Sequence, residues 1–106
     1  MKVKILSIVL AIVFFASGGA KLAGLEFEIA AFERWGYSLW FMYFIGTVEV
    51  AGAIGLLVSR LAPLAAACLA VMMLGAIATH IVHAEWPMLA IATTIMILSA
   101  IRARLG

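Results

Sequence analysis

Residues 39–58 read LWFMYFIGTVEVAGAIGLLV, an apolar run in which Glu49 is the only charged residue. A helix of this length rises about 30 Å, which matches the hydrocarbon core of a bilayer. A carboxylate roughly halfway along such a helix costs at least a few kcal/mol unless it is paired or protonated. The run therefore predicts a membrane-spanning helix whose Glu49 side chain points into a helical bundle.

Three further apolar runs flank this one, and the four together occupy nearly all of the 106 residues. We place the spans at approximately 5–24, 39–58, 61–82 and 86–102. At 68% hydrophobic and 11% charged residues, with a mean hydropathy of +1.27, the chain cannot cover a water-facing surface. We predict an all-α integral membrane four-helix bundle that forms a single transmembrane domain over residues 1–106.

The first and fourth runs need separate comment. A basic start and the small residues 17–20 also suit a signal peptide. Removal of this first run would leave three spans and break the pattern of basic ends, so we expect a retained helix.

The fourth run offers only about 15 to 17 apolar residues, which predicts a short span accommodated by mild thinning of the bilayer.

An amphipathic segment over residues 25–37 separates the first two spans. It predicts a short interfacial helix, with Phe27, Trp35, Tyr37 and Trp40 at the level of the lipid headgroups. Within the first two spans small residues recur four apart, which permits close packing of helices in lipid. These rows are Ala16, Ala20 and Gly24, and Thr47, Ala51 and Gly55.

The basic residues at the span ends predict the orientation. One side carries Lys2, Lys4, Arg60, Arg102 and Arg104, and the other carries Lys21 and Arg34 among four glutamates. Basic residues favour the cytoplasmic side. We therefore predict a multi-pass protein of a bacterial inner membrane, with both termini cytoplasmic and with residues 22–38 and 83–85 on the outside.

Several kinds of chemistry are excluded by the residue inventory. Cys68 is the only cysteine, so the chain has no intrachain disulfide, no CxxC redox pair and no cysteine cluster for zinc. No glycine-rich phosphate loop, nucleophile elbow or basic aromatic surface occurs, and nucleic acid is not expected as a partner.

Lys21 is the natural partner for Glu49, because it lies near the outer end of the first span and both side chains are long. Two interpretations of this pair are open. The pair could only specify helix packing, with Lys21 alternatively reaching to the interface. It could also bind a ligand, handle a proton or contact a cofactor.

His80 and His83 are three residues apart at the outer end of the third span, close to Glu85. This spacing places both rings on one helix face. A metal site, a helix cap or pH sensor, and a polar pocket shared with Lys21 and Glu49 are the alternatives. His80 is the deeper residue and the better candidate for the pocket; no metal is assigned.

Aromatic residues of the first two spans could line a pocket for a flat apolar ligand such as a quinone, or could simply pack or face lipid. They are Phe14, Phe15, Phe41, Tyr43 and Phe44.

The sequence resembles the DoxX-like family of small membrane proteins over roughly residues 8–100. The resemblance rests on the order and spacing of SGGAKL at 17–22, FERWG at 32–36, IGTVEVAGAIGLL at 45–57 and LGAIATH at 74–80. It implies a four-helix membrane bundle whose signature polar residues map to Lys21 and Glu49, with His80 as a third. Some relatives resemble the small subunit of a thiosulfate:quinone oxidoreductase, and others are linked to membrane thiol and oxidative-stress systems.

Our leading hypothesis is a DoxX-like protein that holds a small hydrophobic or quinone-type molecule in an outward-facing polar pocket formed by Lys21, Glu49 and His80. It would serve as an accessory subunit of a membrane redox complex, with the lipid bilayer and a redox partner or a second copy as its associates. The alternatives are a structural or interaction protein whose buried ion pair only specifies the fold, and an oligomeric transporter of small solutes.

Overall fold

The computed structural model describes residues 2–105, with side chains from Val3 onward, and is 87% helical with no strand in that range. Its helices are α1 Lys2–Leu22, α2 Glu26–Trp35, α3 Leu39–Leu57, α4 Ala62–Val82 and α5 Trp86–Leu105. All except α2 are long and apolar enough to cross a membrane, so the predicted fold class is confirmed. Met1, Gly106 and the side chain of Lys2, one of the basic groups in the predicted orientation, lie outside the described part.

The fourth span is longer than predicted. Helix α5 has 20 residues and continues to Leu105, three residues beyond the predicted end of the span, while thinning of the bilayer around it stays a prediction. Arg102, in the last turn of α5, is only 5% exposed. Its Nε donates a hydrogen bond to the Ser7 hydroxyl of α1, so the end of α5 is joined to α1.

Helix α1 packs chiefly against α3, and α4 against α5, while contacts between α3 and α4 join the two pairs. The first pair approaches closely because Gly18 faces Gly46. A Cβ atom on Gly18 would lie 2.7 Å from the Gly46 carbonyl oxygen, and one on Gly46 would lie 2.9 Å from the Lys21 Cβ. Lys21 is thereby held directly beside α3.

The predicted rows of small residues mark this packing only in part. Gly55 does pack closely, since a Cβ there would lie 2.9 Å from the Ala65 Cβ. Ala16, Thr47 and Ala51 are exposed on the outside of the bundle. The contact face of α1 therefore lies along Gly18 and Lys21, which are three residues apart and share one side of the helix.

The two ends of the bundle differ in packing. The core lies towards the end that contains the turn between α3 and α4, where Leu10, Phe14, Leu56 and Leu69 are each at most 2% exposed. Large apolar side chains elsewhere face outward, as expected for helices solvated by lipid. The other end, next to α2, is not filled in this way and contains a cavity.

Candidate functional site

The cavity has a volume of about 500 Å³ and lies among the four spanning helices, with α2 contributing to its wall. Its lining is mostly apolar, with few polar groups, as in typical small-molecule sites. The buried or partly buried polar side chains that line it are Ser17, Lys21, Glu28, Glu49, Thr79 and His80. Lys21, Glu49 and His80, the three predicted site residues, therefore line the same cavity.

Lys21 is at the centre of the first polar group. Its Nζ donates to the Ser17 hydroxyl at 2.8 Å and to Glu28 Oε2 at 3.3 Å, and lies 2.9 Å from Glu49 Oε1. The predicted pairing of Lys21 with Glu49 is thus confirmed as geometry. Two carboxylates share one ammonium group here, so this cluster, with all groups ionised, carries an excess negative charge.

Glu49 is only 4% exposed. Its Oε1 is close enough to Lys21 for an ion pair, but the approach angle does not make a hydrogen bond, and Oε1 has no hydrogen-bond partner among the described residues. A buried polar atom without such a partner is unusual in a native structure and suggests a role beyond packing. The Glu49 carboxylate retains acceptor capacity for a further donor.

Glu85 is the centre of the second polar group. Its carboxylate accepts from Arg34 Nη2 at 2.6 Å, from Trp35 Nε1 at 2.8 Å and from His80 Nδ1 at 2.9 Å. The hydrogen bond from His80, reinforced by Arg34 and Trp35, lowers the pKa of Glu85 to about 2. Glu85 is therefore ionised at neutral pH and ties α2 to the end of α4.

The chain reversal after α4 places Glu85 against His80. The amide of Glu85 donates to the His80 carbonyl at 2.9 Å and that of Ala84 donates to the Ile81 carbonyl at 3.2 Å, the pattern of a Schellman motif. Ala84 adopts φ +53° to close it. Because this motif folds the chain back over the last helical turn, the Glu85 side chain meets the imidazole five residues earlier.

Tyr37 and Thr79 make a third polar contact at the cavity wall. Their hydroxyl oxygens are 2.8 Å apart, and the Thr79 hydroxyl donates to the Gly75 carbonyl. In the hydrogen bond between the two hydroxyl groups, Tyr37 is therefore the donor and Thr79 the acceptor. Tyr37 reaches this position because a second Schellman motif, with Gly36 at φ +81°, ends α2.

The aromatic lining differs from the predicted one. Of the five aromatic residues proposed to line a quinone pocket, only Phe41 lines this cavity, while Phe14 is packed in the core. The main aromatic wall comes from α2 and from Tyr37, two residues beyond its end; the α2 members are Phe27, Phe32 and Trp35. Trp35 and Tyr37, predicted at the level of the lipid headgroups, both line the cavity and form hydrogen bonds to Glu85 and Thr79.

The two histidines have separate roles. His80 is buried and its ring lies edge-on to Trp35 with centroids 5.5 Å apart, whereas His83 is exposed. His83 Nδ1 lies 2.9 Å from the Thr79 carbonyl oxygen and so caps α4. Among residues 2–105 no group of three or more metal-ligating side chains is placed to hold an ion.

Sequence analysis missed Ser17, Glu28 and Glu85 as members of the site. Ser17 precedes Lys21 by four residues and so shares its helix face, which was a readable signal. Glu28 was assigned to a headgroup-level helix, and nothing local shows that this helix turns inward. The partners of Glu85 on α2 are about 50 residues away in the chain, so no sequence spacing reveals them.

Comparison with known proteins agrees with this architecture. Residues 5–102 match the model of the DoxX-like family, which covers nearly the whole chain. No curated protein and no solved structure gives a significant match.

Proposed function

Since the chain belongs to the DoxX-like family, whose members are expected to be small helical membrane proteins, we propose that it binds a small, flat, largely apolar molecule of the quinone type. The observation that carries this proposal is the cavity of about 500 Å³ with an aromatic wall on one side and buried charged groups on another. A volume of this size holds a bicyclic ring system with part of a side chain.

The aromatic, polar and apolar parts of the cavity suit the ring, the oxygen substituents and the tail of such a ligand. Phe32, Trp35 and Phe41 offer ring faces and edges for a planar ring. Glu49 and His80 supply polar atoms that can orient its oxygen substituents. An apolar tail can extend along Met72 and Ile91, which belong to the lipid-spanning helices.

We further propose that the cavity faces the outer side of a bacterial inner membrane, with both termini cytoplasmic, as the basic residues at the helix ends indicate. Net electron transfer to or from a bound quinone then calls for a partner protein, because Cys68 is the only thiol and the chain can form no internal dithiol. This supports a role as an accessory subunit of a membrane redox complex.

Extraction of the protein from bacterial membranes in polymer-bounded lipid discs, followed by native mass spectrometry, tests the proposal. We expect about one isoprenoid quinone per chain for the wild type, and loss of most of it in Glu49→Gln, which keeps the size of the side chain. Glu33→Gln is the matched control, because Glu33 is exposed and does not line the cavity.

The amount of quinone in the discs is compared with the amount in discs that contain an unrelated membrane protein. If the two amounts are equal, this function is contradicted. Retention of the same quinone by Glu49→Gln, with only a lower melting temperature, would instead favour the purely structural interpretation of the Lys21–Glu49 pair.

A further inference from the structure

The hydrogen-bond donors of the cavity are nearly all occupied within the protein. Lys21 Nζ donates to Ser17 and to Glu28, and it faces Glu49 Oε1 at 2.9 Å in an ion pair without a hydrogen bond. The Tyr37 hydroxyl donates to Thr79, whose own proton goes to a backbone carbonyl. These groups have little capacity left to donate to a ligand.

The remaining donors are occupied in the same way. The Trp35 indole N–H donates to Glu85. Arg34 also binds Glu85, and its side chain is about half exposed, so water at the mouth of the cavity can satisfy its other protons.

The acceptors, in contrast, are left open. Glu49 Oε1 is buried without a hydrogen bond among the described residues. Glu28 uses Oε2 towards Lys21, and Oε1 makes no hydrogen bond in the described part. A third acceptor comes from His80, because its Nδ1 faces the ionised Glu85 carboxylate and must carry the proton of that hydrogen bond. In the neutral ring Nε2 then has a free lone pair.

We propose, on the basis of the function proposed above, that the cavity selects a ligand whose ring carries hydroxyl donors, and so binds the quinol form in preference to the quinone. A quinol hydroxyl donates to a carboxylate in a charge-assisted hydrogen bond, which is roughly twice as strong as a neutral one. A quinone carbonyl has only lone pairs, and these meet the Glu49 oxygen, itself an acceptor without a hydrogen bond, unfavourably.

Three probes with one ring system test this selectivity: menadiol, menadione and 1,4-dimethoxy-2-methylnaphthalene, the dimethyl ether that keeps the oxygens but has no donor. Binding to the protein in lipid nanodiscs is measured by equilibrium dialysis under anaerobic conditions, with empty nanodiscs subtracted to remove partition into lipid. One hydrogen bond to a charged group predicts a dissociation constant for menadiol that is lower than that of either other probe by roughly tenfold to a hundredfold.

A redox titration of the bound couple gives a second readout. Preferential binding of the reduced form raises the midpoint potential, by about 30 mV for each tenfold preference in this two-electron couple. In Glu49→Gln we expect the preference for menadiol over the ether to fall below about threefold, while Glu33→Gln keeps it. The comparison of the three probes on the wild type stands by itself if Glu49→Gln does not fold.

The outcomes separate this inference from the function on which it rests. Menadione or the ether binding as tightly as menadiol overturns the selectivity but leaves a cavity that binds quinone-type rings. If none of the three probes binds above the level of empty nanodiscs, the proposed function itself is overturned.

Discussion

At the scale of single residues, Lys21 holds two carboxylates from different elements, Glu49 at 2.9 Å and Glu28 at 3.3 Å. Loss of one partner from a buried ion pair leaves an uncompensated charge, which costs about 3–5 kcal/mol. In this structure the cost of removing Lys21 differs from the cost of removing Glu49. Without Glu49, Lys21 still has Glu28, whereas without Lys21 both carboxylates lose their only ammonium partner in the cluster.

We therefore expect Lys21→Ala to lower the free energy of unfolding by about 3–5 kcal/mol and Glu49→Ala to lower it by clearly less. The double variant should cost less than the sum, because the two side chains interact directly. Denaturant titration in bicelles gives the four values of this double-mutant cycle. Lys4→Ala serves as the control, since Lys4 is an exposed ammonium on the same helix.

A coupling energy near zero would mean that Lys21 and Glu49 do not pair in the bilayer. Equal losses for Lys21→Ala and Glu49→Ala would show that Glu28 contributes nothing to the cluster.

At the scale of the elements, the approach of α1 to α3 determines whether Lys21 and Glu49 can meet at all. Gly18 allows that approach, because an added Cβ would lie 2.7 Å from the Gly46 carbonyl and 2.9 Å from the Glu49 Cβ. The neighbouring Gly19 has open space at the same position. Two adjacent glycines of one helix thus differ only in what they face.

Gly18→Ala should destabilise the fold by about 1–3 kcal/mol, because the extra methyl group forces the two helices apart. Gly19→Ala should be neutral or stabilising by up to about 1 kcal/mol, since alanine favours the helix over glycine. The same gain in helix propensity applies to both variants and cancels in their difference. The melting midpoints of the two variants in one detergent measure this difference in stability. Equal midpoints would refute the close packing of α1 on α3.

The short helix α2 shows how tertiary contacts change the role of an element. Its amphipathic pattern is also that of a helix lying in the membrane interface. Hydrogen bonds from Trp35 and Arg34 to Glu85, together with that from Tyr37 to Thr79, instead join it to α4 and the turn that follows. The helix consequently forms a wall of the cavity and supplies most of its aromatic residues.

At the scale of the whole molecule, charge is divided between the two ends of a body that is 40 Å in its longest dimension. Lys4, Arg60 and Arg104 are exposed at one end, and Glu26, Glu33 and Arg34 lie at the end where α2 is. Basic residues are retained on the cytoplasmic side of a membrane. We therefore predict that the cavity and α2 lie on the outer side.

Cysteine labelling in intact cells tests this orientation in a Cys68→Ala background. Glu33→Cys, on the exposed face of α2, should react with a membrane-impermeant maleimide added outside. Ser59→Cys, in the turn between α3 and α4, should react only after the membrane is permeabilised. The reversed pattern would place the cavity on the cytoplasmic side and overturn the predicted topology.

The sequence by itself determined the membrane environment and the four spanning helices, and it indicated Lys21 as the natural partner of Glu49. These follow from local quantities: the length of an apolar run, and the cost of a charge in lipid that only an opposite charge at similar depth offsets. The DoxX-like resemblance drawn from the motifs was likewise confirmed over residues 5–102.

Only the tertiary structure decided which face of α2 turns inward, that Glu28 shares Lys21, and that Glu85 binds His80 and α2. Each depends on where separate helices lie relative to one another, and an amphipathic pattern is the same whether its apolar face meets lipid or protein. The open acceptor on Glu49 was beyond sequence reasoning for the same reason, because hydrogen-bond angles between α1 and α3 are set by their packing at Gly18 and Gly46.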